Sequence, residues 1–331
     1  MCFRREAVGP RTGLPAIPSS PCSLRTVRRT IPAAVEAGVT VGRRALSRIR
    51  DRRHGGGSTS SAAYCYAVWM RHLVALSEAG LLARVPTSVA ELGPGDSIGV
   101  GLAGILSGVR SYVAVDAAVF VRGDPLEPLD ELARMIRDRT PIPDVLEMPI
   151  GSPPLRSREF PLALIDPEAS SPEAVAAIRE RPDRFVRYVA PWTMSEIIPP
   201  DSVDLLISQA VMEHVSDVEA AYTAMAKWLR KGGIASHQVD FRSHGTALTW
   251  NGHWRYSRSV WRVANLRKSG INRLPLSAHL RALEAAGLEV VGHVDQIDTE
   301  GIDDGAVHDD WRHLSSADLR TASAWINARR T

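Results

Sequence analysis

The sequence predicts an α/β protein built on a mostly parallel sheet with helices on both faces. Three observations predict it. Short apolar runs alternate with segments of helical period from residue 61 to residue 297. Such alternation joins parallel strands by crossover helices. The first run, "SVAEL" (88–92), leads straight into "GPGDSIG" (93–99), a glycine-rich turn that opens an apolar helical segment. And no apolar stretch approaches the ~20 residues needed to cross a bilayer. With 331 residues, 44% of them hydrophobic, the chain is long enough for a sizeable core.

The elements follow in order. "SAAYCYAVWMRHLVALSEAGL" (61–81) reads as a helix with Trp69, Leu73 and Leu76 on one stripe and Gly80 near its stop. Residues 88–92 form a buried strand, 96–108 a buried helix with Asp96 or Ser97 near its start, and 111–117 a strand ending in Asp116. A helix follows over 128–138, with Pro128 at its entry. Another spans 172–182, capped by Ser170 or Ser171. Residues 184–190 and 202–210 are strands, and 217–233 is a helix stopped by Gly232 or Gly233. A strand at 234–240, a helix at 276–287 and two late strands at 288–297 and 321–330 complete the body.

Charge is unevenly placed. Residues 1–60 carry twelve Arg and three acidic residues, so the remaining chain is net −6 within a total of +3. An acidic body speaks against a nucleic-acid-binding face. The basic segment has Ile31, Val35, Val39, Leu46 and Ile49 at helical steps, with an arginine cluster over 43–53. That pattern suits loose docking on an anionic membrane surface, or simply a solvated tail. "HGGGSTSSA" (54–62) reads as a linker that begins the folded body. Cys2, Cys22 and Cys65 give neither metal spacing nor an even set, which points to a reducing, cytoplasmic setting. No secretory signal is expected.

In an open parallel sheet, ligands sit at the carboxyl ends of the strands. The turn at 93–95 lies at one such end, and the N–H groups of a helix start there favour an anionic group. Asp116 ends the next strand, where an acid meets ribose hydroxyls. A dinucleotide fingerprint would need glycine at position 98, which is Ile98. Instead, Glu91-x-Gly93-x-Gly95 after the first strand and an acid ending the second resemble the class I S-adenosylmethionine-dependent methyltransferases. So do "SVDLLISQAVMEHV" (202–215), the helix and "LRKGG" after it, and the paired late strands. The third glycine of the family turn is Ser97 here. The resemblance covers about 88–331.

It implies a Rossmann-like sheet of seven strands, mostly parallel with the last antiparallel, and S-adenosyl-L-methionine as cofactor. Glu91, Gly93, Gly95 and Asp96 would hold its methionine part and Asp116 its ribose. The segment from Ala190 to Trp192 would border the adenine, and Gln209 and Ala210 would line the reacting centre. Three stretches, "SAAYCYAVWMRHLVAL" (61–76), "AELGPGDSIGVGLA" (90–103) and "INRLPLSAHLRALEAAGLEV" (271–290), resemble a bacterial subgroup associated with surface polysaccharide or glycolipid synthesis. That implies a glycan, glycolipid or other small-molecule hydroxyl as acceptor and contact at the inner membrane surface; the alternatives are a methyltransferase acting on protein or nucleic acid and a non-catalytic binding protein that keeps the cofactor fold.

Methyl transfer to an alcohol needs a group that takes the proton. Candidates in the second half are Glu213, His214, His237, Asp240, His244 and His253. Asp240 and His244 stand at or beyond the end of the 234–240 strand, and His214 begins a helical turn in "MEHV", so these three are the expected catalytic set. The set His237, Asp240 and His244 is also able to hold a divalent metal, though its spacing is loose, and no metal is assigned. In "LTWNGHWRYSRSVWR" (248–262), Trp250, His253, Trp254 and Tyr256 suit stacking on a sugar or planar ring, or equally a satellite apolar cluster that pins a long loop. Two insertions, about 141–170 and 241–275, are expected to form the acceptor lid.

Overall fold

The computed structural model describes residues 60–143, 155–192, 197–264 and 270–331. The expected tail helix over 31–53 lies outside the described residues. So do parts of both expected lids, at 144–154 and 265–269.

Helix α1 (Ala62–Glu78) starts where the Ser61 hydroxyl accepts the Tyr64 N–H at 3.2 Å, and it stops at Gly80, whose φ is +68°. Strand β1 (Ser88–Leu92), helix α2 (Gly99–Ile105) and strand β2 (Ser111–Val115) follow. Helix α2 is glycine-rich because it is pressed from several sides. A Cβ on Gly99 would meet the Cys65 sulfur at 2.5 Å, and one on Gly101 the Tyr112 ring at 2.4 Å. Helix α3 (Leu129–Arg137) is followed by α4 (Pro172–Glu180), whose Ser171 cap and Pro172 entry are the signals its sequence carries. Then come β3 (Val186–Val189), β4 (Val203–Gln209), α5 (Val218–Trp228), β5 (Leu229–Asp240), α6 (Arg258–Ala264), α7 (Leu276–Ala285), β6 (Leu288–Ile297), α8 (Ser316–Arg320) and β7 (Thr321–Arg330).

The seven strands form one sheet in the order β3-β2-β1-β4-β5-β7-β6. The pairs β1·β2, β1·β4, β2·β3 and β4·β5 are parallel, and β7 runs antiparallel between β5 and β6. The fold expected from the sequence is therefore the one observed. Two apolar cores lie on the two faces. One packs α1, α2 and α3 against Val89, Leu205 and Ile207, and the other packs α5 and α7 against Ala90, Leu206 and Val239. Strand residues alternate between these cores, as a sheet buried on both sides requires.

Three expectations change. The helix expected over 217–233 ends at Trp228, because Leu229 pairs with Val203 and begins β5. Sheet pairing outweighs helix propensity there. Helix α2 begins at Gly99 rather than near Asp96, so a turn intervenes between β1 and the helix. And the described part of the first insertion does not cover the strand ends. Leu164 and Ile165 are buried in the first core, with Leu164 accepting the Val85 N–H and Asp166 donating to Ser107, toward the opposite edge of the sheet. Apolar burial fixes that segment as wall rather than lid.

Among the described residues, no helix is long and apolar enough to cross a membrane.

Candidate active site

The turn after β1 is held by backbone. Gly93 (φ +71°) donates its N–H to the Val115 carbonyl of β2 at 2.8 Å. A Cβ there would meet Val211 at 2.6 Å, so only glycine fits. Gly95 (φ +69°) differs, since a Cβ there would meet nothing within 4 Å. The ground above Gly95 is open, and its N–H points at the Asp116 carboxylate at 3.2 Å. Asp116 also accepts from the Ala117 N–H at 2.7 Å, and its backbone carbonyl accepts from the Trp192 N–H. This places Asp116, the glycine turn and the Ala190–Trp192 segment at one corner. A carboxylate has about four acceptor positions, so two remain for hydroxyl donors. Burial raises the Asp116 carboxyl, and the two N–H groups oppose that shift.

Glu91 is buried and accepts the Tyr112 hydroxyl. Burial pushes its pKa up to about 8, against the lowering effect of that hydrogen bond and with the charge of Asp116 adding to it. Tyr112 is a functional neighbour that the sequence does not disclose. It faces Glu91 diagonally across the β1·β2 pair, and register is a tertiary fact. The backbone carbonyl of Asp96 accepts the Arg122 N–H, and the Ser97 hydroxyl accepts the Gly99 N–H at 3.0 Å. The Ser97 hydroxyl thus answers one of the N–H groups at the start of α2.

The other half of the site stands at the carboxyl ends of β4 and β5. Gln209 donates to the Gln238 side chain at 3.1 Å, and the Ala210 N–H donates to the Gln238 carbonyl. Ala210 takes a φ of +52°, which sharply turns the chain into the short 3₁₀ turn Met212–His214. Asn272 clamps that turn: its side chain donates to the carbonyls of Met212 (2.8 Å) and Val215 (2.9 Å), and its N–H to the Glu213 carbonyl (2.7 Å). After β5, the Asp240 carboxylate accepts the Arg242 N–H at 2.9 Å, and the chain reverses through His244 (φ +47°) and Gly245.

These turns bring together what the sequence holds thirty residues apart. His244 Nε2 lies 3.5 Å from Asp240 Oδ2 and 3.9 Å from Glu213 Oε1, and the His214 and His244 rings meet edge to face at 5.1 Å. Asp240 and Glu213 are each 2% exposed. Neither Glu213 carboxylate oxygen has a hydrogen-bond partner. Burial therefore drives Glu213 well above the usual carboxylate range, with Asp240 reinforcing the shift and nearby backbone N–H groups opposing it. His214 is pushed down to about 4, first by the protein around its ring and then by His244. The expected trio Asp240, His244 and His214 thus meets in space, and Glu213 joins it. The Glu-His pair after β4 was the available signal.

Other candidates fall away. His237 is wholly buried on the opposite face from Asp240, bonded to Ser208 Oγ at 2.8 Å and packed on Tyr222. It is absent from the cluster, so the set His237, Asp240, His244 does not assemble. Trp254 and Tyr256 do not present open ring faces. Trp254 sits in a small core with Val307, Trp311 and Leu319, and Tyr256 packs with Trp261 and Ile271. Arg273 braces this region, lying 4.5 Å from both the Trp261 and Trp311 rings and donating to the carbonyls of His253 and Tyr256. His253 is also fully buried, which lowers its pKa well below the usual range, with Arg273 adding to the effect. Of the four expected acceptor residues, Trp250 alone is only half-buried. The satellite-cluster alternative describes the other three.

A sheet in this order, with β7 reversed, a Glu-x-Gly-x-Gly turn after β1 and an acid closing β2, defines a class I methyltransferase. Residues 78–293 match the family described as "Methyltransferase domain", and the chain belongs to it. It is a methyltransferase. No curated protein matches the chain. Among solved structures it is similar to an S-adenosylmethionine-dependent methyltransferase from Mesorhizobium loti, at 15% identity over 76% of this chain and 94% of that one, with a TM-score of 0.40. It is also similar to geranyl diphosphate C-methyltransferase from Streptomyces coelicolor (12% identity, 80% and 78% covered, TM-score 0.43). A third is a sarcosine dimethylglycine methyltransferase-like protein from Galdieria sulphuraria (11%, 79% and 84%, TM-score 0.41).

Proposed function

We propose that the chain methylates a hydroxyl of a glycan, glycolipid or other small molecule, at the cytoplasmic side and in reach of the membrane surface through its basic tail. One observation carries the hydroxyl assignment. Two buried carboxylates, Asp240 and Glu213, converge on His244 beside His214, at the strand ends next to the glycine turn. A carboxylate acceptor would need no such cluster. The net-negative body disfavours nucleic acid as acceptor.

The residues fit the cofactor: Gly95 leaves open ground above the turn, and Asp116 keeps acceptor capacity beyond its two N–H bonds. When bound, the cofactor supplies an electrophilic methyl group on a sulfonium. Glu91, Gly93, Gly95 and Asp96 hold its amino-acid end, Asp116 its ribose, and the segment at Ala190 its base. Gln209 and Ala210 border the reacting centre. Asp240 takes the proton from the acceptor hydroxyl, and His244 and His214 beside it orient that hydroxyl. Trp250 borders the acceptor.

Calorimetric titration tests the reading. Micromolar binding of S-adenosylmethionine is expected, weakened more than about tenfold in Asp116→Ala, since a charge-assisted ribose contact is worth about 1.5–3 kcal/mol. Unchanged affinity in that variant would reject the placement of the ribose.

A further inference from the structure

Glu213 poses a problem that the methyltransferase reading leaves unsolved. It is 2% exposed, and both of its carboxylate oxygens lack a hydrogen-bond partner. A buried carboxylate without partners is costly unless a cation answers it. The side chain is aimed at two imidazoles. One ligand atom each from Glu213, His214 and His244 lie within 4.8 Å of one another. A first-row divalent ion binds nitrogen and carboxylate oxygen at about 2.0–2.2 Å, so two ligands on one ion lie at most ~4.4 Å apart. A few tenths of an ångström of side-chain rotation closes the set. His214 and His244 keep contact with solvent, which gives an ion an entry path. The backbone around them is held in place, by the Asn272 clamp on 212–215 and by the 243–250 loop, where Ser243 donates to the carbonyls of Thr249 and Trp250.

We infer that Glu213, His214 and His244 form a binding site for a divalent first-row transition ion, which takes the acceptor hydroxyl as a further ligand. Two imidazoles and one carboxylate suit Mn²⁺, Fe²⁺, Co²⁺ or Zn²⁺ better than Mg²⁺ or Ca²⁺, which prefer all-oxygen sets. The inference rests on the hydroxyl reading above and specifies its means. The ion acidifies the bound hydroxyl. Its proton passes to the Asp240 carboxylate, which stands 3.5 Å from His244 Nε2 and is not one of the three ligands. The oxygen then forms a C–O bond to the methyl group as the C–S bond breaks, and the electron pair goes to sulfur, giving a neutral thioether. The ion keeps its charge, and no oxidant or reductant is involved. The acceptor class narrows to hydroxyls able to approach a metal, foremost one of a vicinal pair that chelates it.

The test uses the full chain, stripped with a chelator and titrated with Mn²⁺ in the absence of cofactor and acceptor. Free Mn²⁺ is followed by its EPR signal. One ion per chain is expected with a micromolar Kd. Binding should weaken more than about a hundredfold in the isosteric Glu213→Gln and in the more exposed His214→Gln. The thermal midpoint should rise with Mn²⁺ in the wild type and stay still in both variants. Failure of the folded wild type to bind Mn²⁺ or Zn²⁺ at millimolar concentration overturns the site, as does binding that survives both substitutions. Turnover separates the two readings. Full methyl transfer to a hydroxyl in excess chelator overturns the ion and leaves the hydroxyl reading standing. Ion binding lost in both variants, with no hydroxyl methylated, keeps the site and overturns the hydroxyl reading.

Discussion

Glu91 and Glu213 are both buried carboxylates at the carboxyl edge of the same sheet, yet they are treated differently. Glu91 accepts the Tyr112 hydroxyl, and Asp116 beside it accepts two backbone N–H groups. The Glu213 carboxylate accepts no hydrogen bond, and the turns around it hold Ala210 and His244 in the left-handed region. Left-handed backbone at a non-glycine residue costs about 1–3 kcal/mol. The carboxylates of the cofactor half therefore have protein donors, while the acceptor half carries strain and a carboxylate without one. Rigid polar satisfaction suits a fixed cofactor; unfinished coordination suits a partner that arrives with the reaction.

The comparison can be broken most directly at turnover. His244→Gln and Asp240→Asn should lower kcat by about 10²–10⁴, the usual contribution of a positioned proton acceptor, while S-adenosylmethionine affinity measured by calorimetry stays within a factor of about two. Full rate in both variants would remove this cluster from the chemistry. Next in size is the glycine pair. Gly93→Ala adds a clash with Val211 to a left-handed backbone, and should cost about 2–4 kcal/mol in urea denaturation; Gly95→Ala meets open space and should cost about 1 kcal/mol. Equal losses would mean that the turn relaxes as a unit.

Smaller effects sharpen the contrast of the two carboxylates. Tyr112→Phe strips Glu91 of its donor and should destabilise by about 1–3 kcal/mol, the cost of leaving a buried polar group unpaired. Glu213→Gln loses no hydrogen bond and should be neutral or stabilising in metal-free protein, read from the same urea curves. A further contrast lies in pH. The Glu91 pKa of about 8 in the folded protein stands above its ordinary 4.5. Between those values the folded chain keeps a proton that the unfolded chain releases, so stability falls as pH rises and levels off above about 8. Glu91→Gln removes that fall. Its thermal midpoint should gain on the wild type between pH 5 and 8, without cofactor, and a constant gap would show that Glu91 titrates normally.

What the sequence by itself determined was local. Short apolar runs and period-3.6 runs placed all seven strands and the main helices, since burial of both strand faces or of one helix stripe is written into neighbouring positions. Gly93, Gly95 and Asp116 were legible because a tight turn and a strand-end acid have fixed spacing in a βαβ unit. The tertiary structure decided what depends on register and loop closure. It paired Leu229 with Val203 against helix propensity, brought Tyr112 diagonally onto Glu91, folded Trp254 into a small core with residues some fifty positions on, and packed Tyr256 with Trp261 and Ile271 in another. It also gathered Glu213 and His214 from one strand end with Asp240 and His244 from the next. The β4·β5 pairing sets these strand ends side by side, with Gln209 opposite Gln238, and no local pattern in either segment encodes that distance.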